Sequence, residues 1–229
     1  MKNVDNKSNI VIKETPDGSY TFQLPDLNET YHSINGAKTE SQYVYIDQGI
    51  SKCNSDPICV FEMGYGSGLN AFLTWKFAVT YQKKILYTAV EKYPISAEIL
   101  KIPDFIKHDK ESEHIWKSLH NSDWNTEIKI DTHFVLLKNH NEIEEITLSG
   151  KYDIVYYDAF APSVQPELWS CEIFQKIFDA LKPGGILVTY SSAGAVKRAL
   201  VSVGFQIERL QGPPGKKHML RGTKSASNI

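Results

Sequence analysis

Residues 58–75 read ICVFEMGYGSGLNAFLTW, and the fold turns on this stretch. A short apolar run ends in glycines at positions 64, 66 and 68, and apolar residues then continue at helical spacing through Gln82. A strand that turns through glycines into a helix is the opening of a strand–helix–strand unit, which builds a parallel sheet buried on both faces.

The same rhythm recurs downstream. ILYTAVE (85–91), HFVLLK (133–138) and DIVYYD (153–158) are expected strands, and Pro94 is expected to open a helix at ISAEILK. PELWSCEIFQKIFDAL (166–181) reads as one amphipathic helix with Leu168, Ile173, Phe174, Ile177, Phe178 and Leu181 on one side. Pro183-Gly184-Gly185 is expected to break the chain before the strand ILVTYS (186–191). GAVKRALVSV then gives a helix, and FQIERL and HMLRG the closing strands. The stretch 102–127 interrupts the rhythm with Pro103, charges around Lys107–Glu113 and two tryptophans; it is expected as an inserted helical subregion, placed to serve as a lid. Upstream, IVIKE and SYTFQL flank Pro16-Asp17-Gly18, a hairpin signal, and QYVYI (42–46) is rich in strand formers. The expected organisation is α/β: a doubly wound sheet over 51–229, with an N-terminal β extension over 1–50 packed on it.

Composition narrows the classes. No apolar run approaches the ~20 residues that span a bilayer, and the start MKNVDNKSNI lacks the apolar core of a signal peptide, so a cytoplasmic protein is expected. Cys53, Cys59 and Cys171 match no metal-ligand spacing and are expected as reduced, partly buried thiols; no metal is expected. The net charge of −2 hides an asymmetry: residues 182–229 carry +7 and residues 1–181 carry −9. Such a split fits either a nucleic-acid footprint or a scattered basic surface.

Three acids stand where a ligand would meet the sheet. Glu62 lies two residues before the first glycine of Gly64-Tyr65-Gly66-Ser67-Gly68. The G-x-G-x-G spacing differs from the G-x-G-x-x-G that cradles a pyrophosphate, and an acid at Glu62 suits a ligand with an ammonium group. An ordinary tight turn is the plainer reading of the glycines. Glu91 ends the second strand of the unit, where an acid accepts from both ribose hydroxyls of a bound nucleoside; its plainer role is to cap a helix at Pro94. Asp158 opens Asp158-Ala159-Phe160-Ala161-Pro162 at the carboxyl end of a strand, where ligands of such sheets bind; its plainer role is to cap the helix near Pro166.

FEMGYGSGLNAFLTW, AVEKYPIS, YDIVYYDAFAPSVQPELWS, LKPGGILVTYSSAGAVKRAL and GPPGKKHMLRG together resemble the methyltransferase domain of the MnmC-type tRNA 5-methylaminomethyl-2-thiouridine biosynthesis proteins, from about Tyr31 to Arg221. The resemblance implies a class I methyltransferase fold of Rossmann-like form that uses S-adenosyl-L-methionine. It implies a cofactor site of Glu62, Gly64, Tyr65, Gly66, Gly68, Asn70, Glu91, Lys92, Asn139 and Asp158. It further implies that Asp158 holds the attacking nitrogen of a 5-aminomethyl uridine at the tRNA wobble position, as the catalytic residue. Phe160 or Tyr65 would pack on the uracil or the sulfonium. Lys197, Arg198, Lys216, Lys217 and Arg221 would contact the tRNA backbone. The family's fused oxidase domain has no counterpart here, so a stand-alone transferase is expected, with an oxidase or upstream tRNA-modifying enzymes as separate partners. One departure is Lys138-Asn139, where the family has Gly-Asp near the adenine. A methyltransferase for small-molecule or protein amines, and a non-catalytic cofactor-binding subunit, are the alternatives.

Overall fold

The computed structural model describes residues 10–25 and 29–226; the remaining residues of the expected N-terminal extension lie outside the described ones. Strands β1 (Val11–Glu14) and β2 (Tyr20–Leu24) pair antiparallel about the expected Pro-Asp-Gly turn, and the short β3 (Glu29–Thr30) joins β2. The turn owes its shape to Asp17, whose carboxylate accepts from Ser19 and Thr15 and, across 22 residues, from the N–H and hydroxyl of Thr39.

QYVYI is not a strand. Helix α1 (Ala37–Ser41) continues through Gln42–Asp47 in wider turns, with the Gln48 N–H bonded to the Tyr43 carbonyl. Ala37, Glu40, Ser41, Val44 and Tyr45 are buried at helical spacing, and the segment packs on the next helix and on the main sheet. Burial of that face outweighs the strand preference of Val44, Tyr45 and Ile46, as tertiary packing commonly does.

The core unit follows the expected order: β4 (Ile58–Met63), α2 (Leu69–Tyr81) and β5 (Ile85–Glu91). No helix opens at Pro94. Ser96 caps a single turn, Ala97–Ile99, and only Ile95 nearby is buried, so the segment has no apolar face to stabilise a longer helix. The tract 102–127 holds a short turn at Asp104–Ile106 and helix α3 (Lys110–Asn121), capped by Asp109. It carries the chain from β5 to an antiparallel edge strand, β6 (Glu127–Lys129), and then to β7 (Phe134–His140).

Strand β8 (Tyr152–Tyr157) is buried throughout. The expected helix over 166–181 divides, because the Ser170 hydroxyl accepts from the Ile173 N–H and so starts a new helix, α4 (Cys171–Ala180), after a turn at Pro166–Trp169. Pro183-Gly184-Gly185 lies within strand β9 (Leu181–Thr189) and does not precede it. There β8 pairs first at Tyr152↔Leu181 and next at Ile154↔Ile186, so the Pro-Gly-Gly residues form a bulge that absorbs the extra length. Helix α5 (Gly194–Ser202), β10 (Phe205–Gln211) and β11 (His218–Lys224) complete the chain.

Among the described residues the main sheet is ordered β10-β11-β9-β8-β4-β5-β7-β6, with the five strands from β9 to β7 parallel. Alternation along the strands separates two cores: Val60, Ile154 and Tyr156 pack with α1, α2 and α3, while Phe61, Val155 and Tyr157 pack with α4. Each such side chain contributes about 1.5–3 kcal/mol on burial, so both faces are needed. Cys53 and Cys59 are half-buried free thiols, and Cys171 is exposed, not partly buried. Among the described residues no helix is long and apolar enough to cross a membrane.

Candidate active site

The chain leaves β4 towards β5 and β7 on one side and returns to β8 on the other, so the strand order reverses between β4 and β8. A crevice opens at the carboxyl ends of strands at such a switch point. The Gly64 N–H bonds the Val90 carbonyl and the Asp158 N–H bonds the Met63 carbonyl, which fixes the ends of β4, β5 and β8 together. Gly64 has φ +87°, and a Cβ there would stand 2.7 Å from the Asp158 carbonyl oxygen, so no larger residue fits. Gly66, at φ +50°, faces only the Tyr31 ring.

Glu62 is fully buried, the Asp158 side chain is 7% exposed, and the two share one donor. Asn70, at the start of α2, donates through Nδ2 to Glu62 Oε1 at 2.9 Å and to Asp158 Oδ2 at 2.8 Å. Burial raises the pKa of both carboxyls, and each feels an acidic neighbour. Asn70 Oδ1 is buried without a hydrogen-bond partner, and Glu62 Oε2 has only the nearby Tyr87 hydroxyl, without a hydrogen bond of good geometry. Unmet acceptors beside two carboxyls fit a cationic ligand, which would hold both acids ionised. Glu91 accepts the Gly66 N–H at 3.1 Å and the Tyr93 N–H at 2.8 Å, so it braces the glycine loop. Burial raises its pKa, opposed by those backbone donors. Neither acid takes its plainer role: no helix starts at Pro94, and Ser170 caps α4.

The opposite wall comes from the N-terminal segment and the closing hairpin. His32 Nδ1 lies 3.8 Å from Asp158 Oδ2, and its Nε2 lies 3.1 Å from the Ser67 hydroxyl on the glycine loop. Glu40, 7% exposed, faces the Lys216 ammonium at 2.5 Å and accepts the Ser33 N–H. Lys216 also sits 3.9 Å above the Tyr190 ring, whose hydroxyl donates to the Ala159 carbonyl. The Tyr45 hydroxyl is near enough to Asp158 to feel its charge, without a hydrogen bond of good geometry. Tyr31 packs edge-on against Phe160 at 4.9 Å.

The site thus gathers Glu62, Gly64, Gly66, Gly68, Asn70, Glu91 and Asp158, with Phe160 beside them. Asn139 is the penultimate residue of β7, next to β5, and its amide donates to the Ala89 carbonyl. Lys92 is turned to Glu142 at 2.7 Å. Tyr65 points away: its hydroxyl bonds the Leu119 carbonyl and its ring meets Trp124, so it supports the loop from the α3 side. Lys138 lies buried, donating to the Leu119 and His120 carbonyls, and burial lowers its pKa to about 8. Of the five basic candidates, Lys197, Arg198 and Lys217 are exposed. Lys216 is taken by Glu40, and Arg221 by a two-point pair with Glu208 and by the Gln48 carbonyl. His32, Glu40, Tyr45 and Tyr190 were not expected. The one signal for any of them was Glu40, an acid on the apolar face of a helical pattern.

A family model described as S-adenosyl-L-methionine-dependent methyltransferase matches residues 107–225, more than half of the chain. Curated relatives include the tRNA 5-methylaminomethyl-2-thiouridine biosynthesis bifunctional protein MnmC of Leptospira borgpetersenii serovar Hardjo-bovis, 27% identical over 213 residues, and that of Burkholderia multivorans, 28% identical over 217. These alignments cover 87% and 88% of this chain and 33% of each relative, so the chain spans about a third of their length. Among solved structures, MNMC2 from Aquifex aeolicus superposes with a TM-score of 0.76 at 23% identity, covering 97% of this chain and 72% of the other. The spermidine synthase of Thermotoga maritima superposes at 0.62 with 17% identity, covering 96% and 70%. Both show the same fold.

Proposed function

The chain belongs to the S-adenosyl-L-methionine-dependent methyltransferase family, and from that premise we propose that it methylates the primary amine of a 5-aminomethyl uridine at the wobble position of tRNA. The observation that carries this reading is the Asp158 carboxylate, buried at the switch point and joined through Asn70 to Glu62, with Phe160, two residues on, packed against Tyr31. The MnmC names of the relatives supply the tRNA.

When bound, S-adenosyl-L-methionine supplies a methyl group made electrophilic by its sulfonium. Glu62 and Asn70 offer the unmet acceptors for its ammonium, Glu91 stands for the ribose hydroxyls and Asn139 for the adenine. A primary alkyl ammonium has a pKa of ~10, so the attacking nitrogen must lose a proton before its lone pair is free. Asp158 takes a hydrogen bond from that nitrogen and holds it in line, and burial favours its taking the proton. Positioning of this kind is worth up to about 7–11 kcal/mol in well-oriented intramolecular systems. Lys197, Arg198 and Lys217 meet the tRNA backbone. The cytoplasm, with an oxidase as a separate partner, goes with this reading.

A small-molecule amine is the second reading, favoured by the internal pairing of Lys216 and Arg221, which leaves less free positive charge for a nucleic acid. One experiment separates the two. Labelled cofactor is incubated with the protein and bulk tRNA from cells lacking it, and the nucleosides are analysed. Label in 5-methylaminomethyl uridine is the expected result; label only in small amines added to the same mixture overturns the tRNA reading.

A further inference from the structure

His32 belongs to no motif, yet it is one of the most firmly held side chains at the crevice. Its backbone is pinned by Thr21, whose hydroxyl accepts the His32 N–H at 2.8 Å and donates to the His32 carbonyl at 3.1 Å. Thr21 is fully buried and His32 nearly so. The ring enters the site with Nε2 at hydrogen-bond distance from Ser67 and Nδ1 facing Asp158.

We propose that His32 is a positioning residue acting through Asp158: it receives the proton that Asp158 takes from the attacking ammonium. This rests on the reading of an amine acceptor above. The steps balance. An N–H bond of the substrate ammonium breaks as an O–H bond forms on Asp158. Once the 3.8 Å gap between Oδ2 and Nδ1 has tightened to hydrogen-bond distance around the bound substrate, that O–H bond breaks as Nδ1–H forms on His32, and the carboxylate, ionised again, faces the nitrogen while the N–CH3 bond forms. The imidazolium donates through Nε2 to the Ser67 hydroxyl until it returns its proton to water on product release.

The surroundings make an imidazole the fitting acceptor. Asp158 Oδ2 is already bonded by Asn70, and a carboxyl kept protonated there would be a weaker acceptor for the amine than the carboxylate is. The other groups around the pair do not compete for the proton. Glu40 is matched by Lys216, Tyr45 and Tyr190 hold theirs because burial raises their pKa, and Glu62 lies on the far side of Asn70.

The test is a pH series of single-turnover rates for wild type and His32→Gln, on tRNA and on free 5-aminomethyluridine. Glutamine keeps a hydrogen-bonding group toward Ser67 but accepts no proton. The variant is expected to be slower by ~10-fold or more near pH 7, less than the ~10²–10⁴-fold of a group that exchanges a proton with the substrate itself. The deficit should close as the pH approaches the amine's own pKa, because the substrate then arrives deprotonated. Its affinities for cofactor and tRNA, read by titration calorimetry, should stay within about twofold. His32→Ala should regain rate with added imidazole, which guards against a glutamine variant that folds poorly. A deficit equal at every pH with no imidazole rescue, or an unchanged rate, overturns the inference while leaving the methyltransferase reading intact. A wild-type protein that methylates neither substrate overturns both.

Discussion

One wall of the crevice is made by the ends of β4, β5 and β8 and the loop between them; the other is assembled from residues 20–45 and 190–217. The first wall holds Glu62, Glu91, Asp158 and the glycines, each placed by a strand end or by the turn after it. The second holds His32, Glu40, Tyr190 and Lys216, each placed by a partner far along the chain. A wall set by backbone geometry binds what every enzyme of the fold binds, whereas a wall set by long-range side-chain contacts can change with the acceptor. Damage to the first should appear as lost cofactor affinity, and damage to the second as lost rate, stability or substrate selection.

Gly66→Val should give the largest effect. A β-branched residue at φ +50° is strained, and its side chain would press on Tyr31 and fill the space where the backbone meets the ligand. Binding of S-adenosyl-L-methionine should fall below detection by calorimetry. Full affinity in this variant would mean that the glycine loop is not part of the cofactor wall.

Asp158→Ala stands next, because Asp158 lies where the two walls meet. The methylation rate should fall ~10²-fold or more, the usual cost of one positioned polar group at a reacting centre. Cofactor affinity should change far less. The melting temperature should hold or rise, since the variant removes a buried acid that shares Asn70 with Glu62. A destabilised variant with near-normal turnover would make Asp158 a structural residue.

The second wall should also be the more sensitive to acid. Burial alone would raise the pKa of Asp17, but hydrogen bonds from Ser19, Thr15 and Thr39 outweigh it and lower the value to about 2. A lowered folded pKa gives stability that is present above the unfolded value of 3.8 and is lost as pH falls towards about 2. Since Asp17 is partly exposed, about 1–2 kcal/mol is expected. Hydrogen exchange of α1 should therefore quicken between pH 4 and 2, well ahead of β4 and β5, and Asp17→Asn should show the same quickening at neutral pH. Equal exchange in both walls would erase the distinction.

The smallest effect concerns salt. Neutralising Lys197 and Arg198 together should reduce the slope of log affinity for tRNA against log salt by about 0.7–0.9 per lost phosphate contact. Lys216→Gln should leave that slope alone and lower stability instead, because it strands Glu40. A slope that moves with Lys216 would shift the nucleic-acid contact onto the hairpin.

The two walls also differ in how far they could be read from sequence. ICVFEM, the glycines, Glu91 and Asp158 were legible because their positions follow from strand ends and turn chemistry, which are local. QYVYI reads as a strand on residue preference alone, but the helical recurrence of the buried Ala37, Glu40, Ser41 and Val44 decides its conformation. His32 could not be found in advance: it has no spacing to Asp158 or Ser67 that a motif would record. Lys216 stands out in the sequence by its charge, but its place beside Glu40 and over Tyr190 depends on how the hairpin of β10 and β11 folds back.

That hairpin does not add to the sheet in sequence order. Strand β11 inserts between β10 and β9, and its Arg221 reaches the Gln48 carbonyl across 173 residues. During synthesis, then, the ribosome delivers the glycine loop and all three acids well before the strand that positions Lys216 and closes the second wall. A nascent chain stalled short of His218 could assemble a nucleoside pocket, yet the acceptor side would lack its clasp. Competence on the acceptor side therefore waits for residues that emerge well after the glycine loop and the three acids.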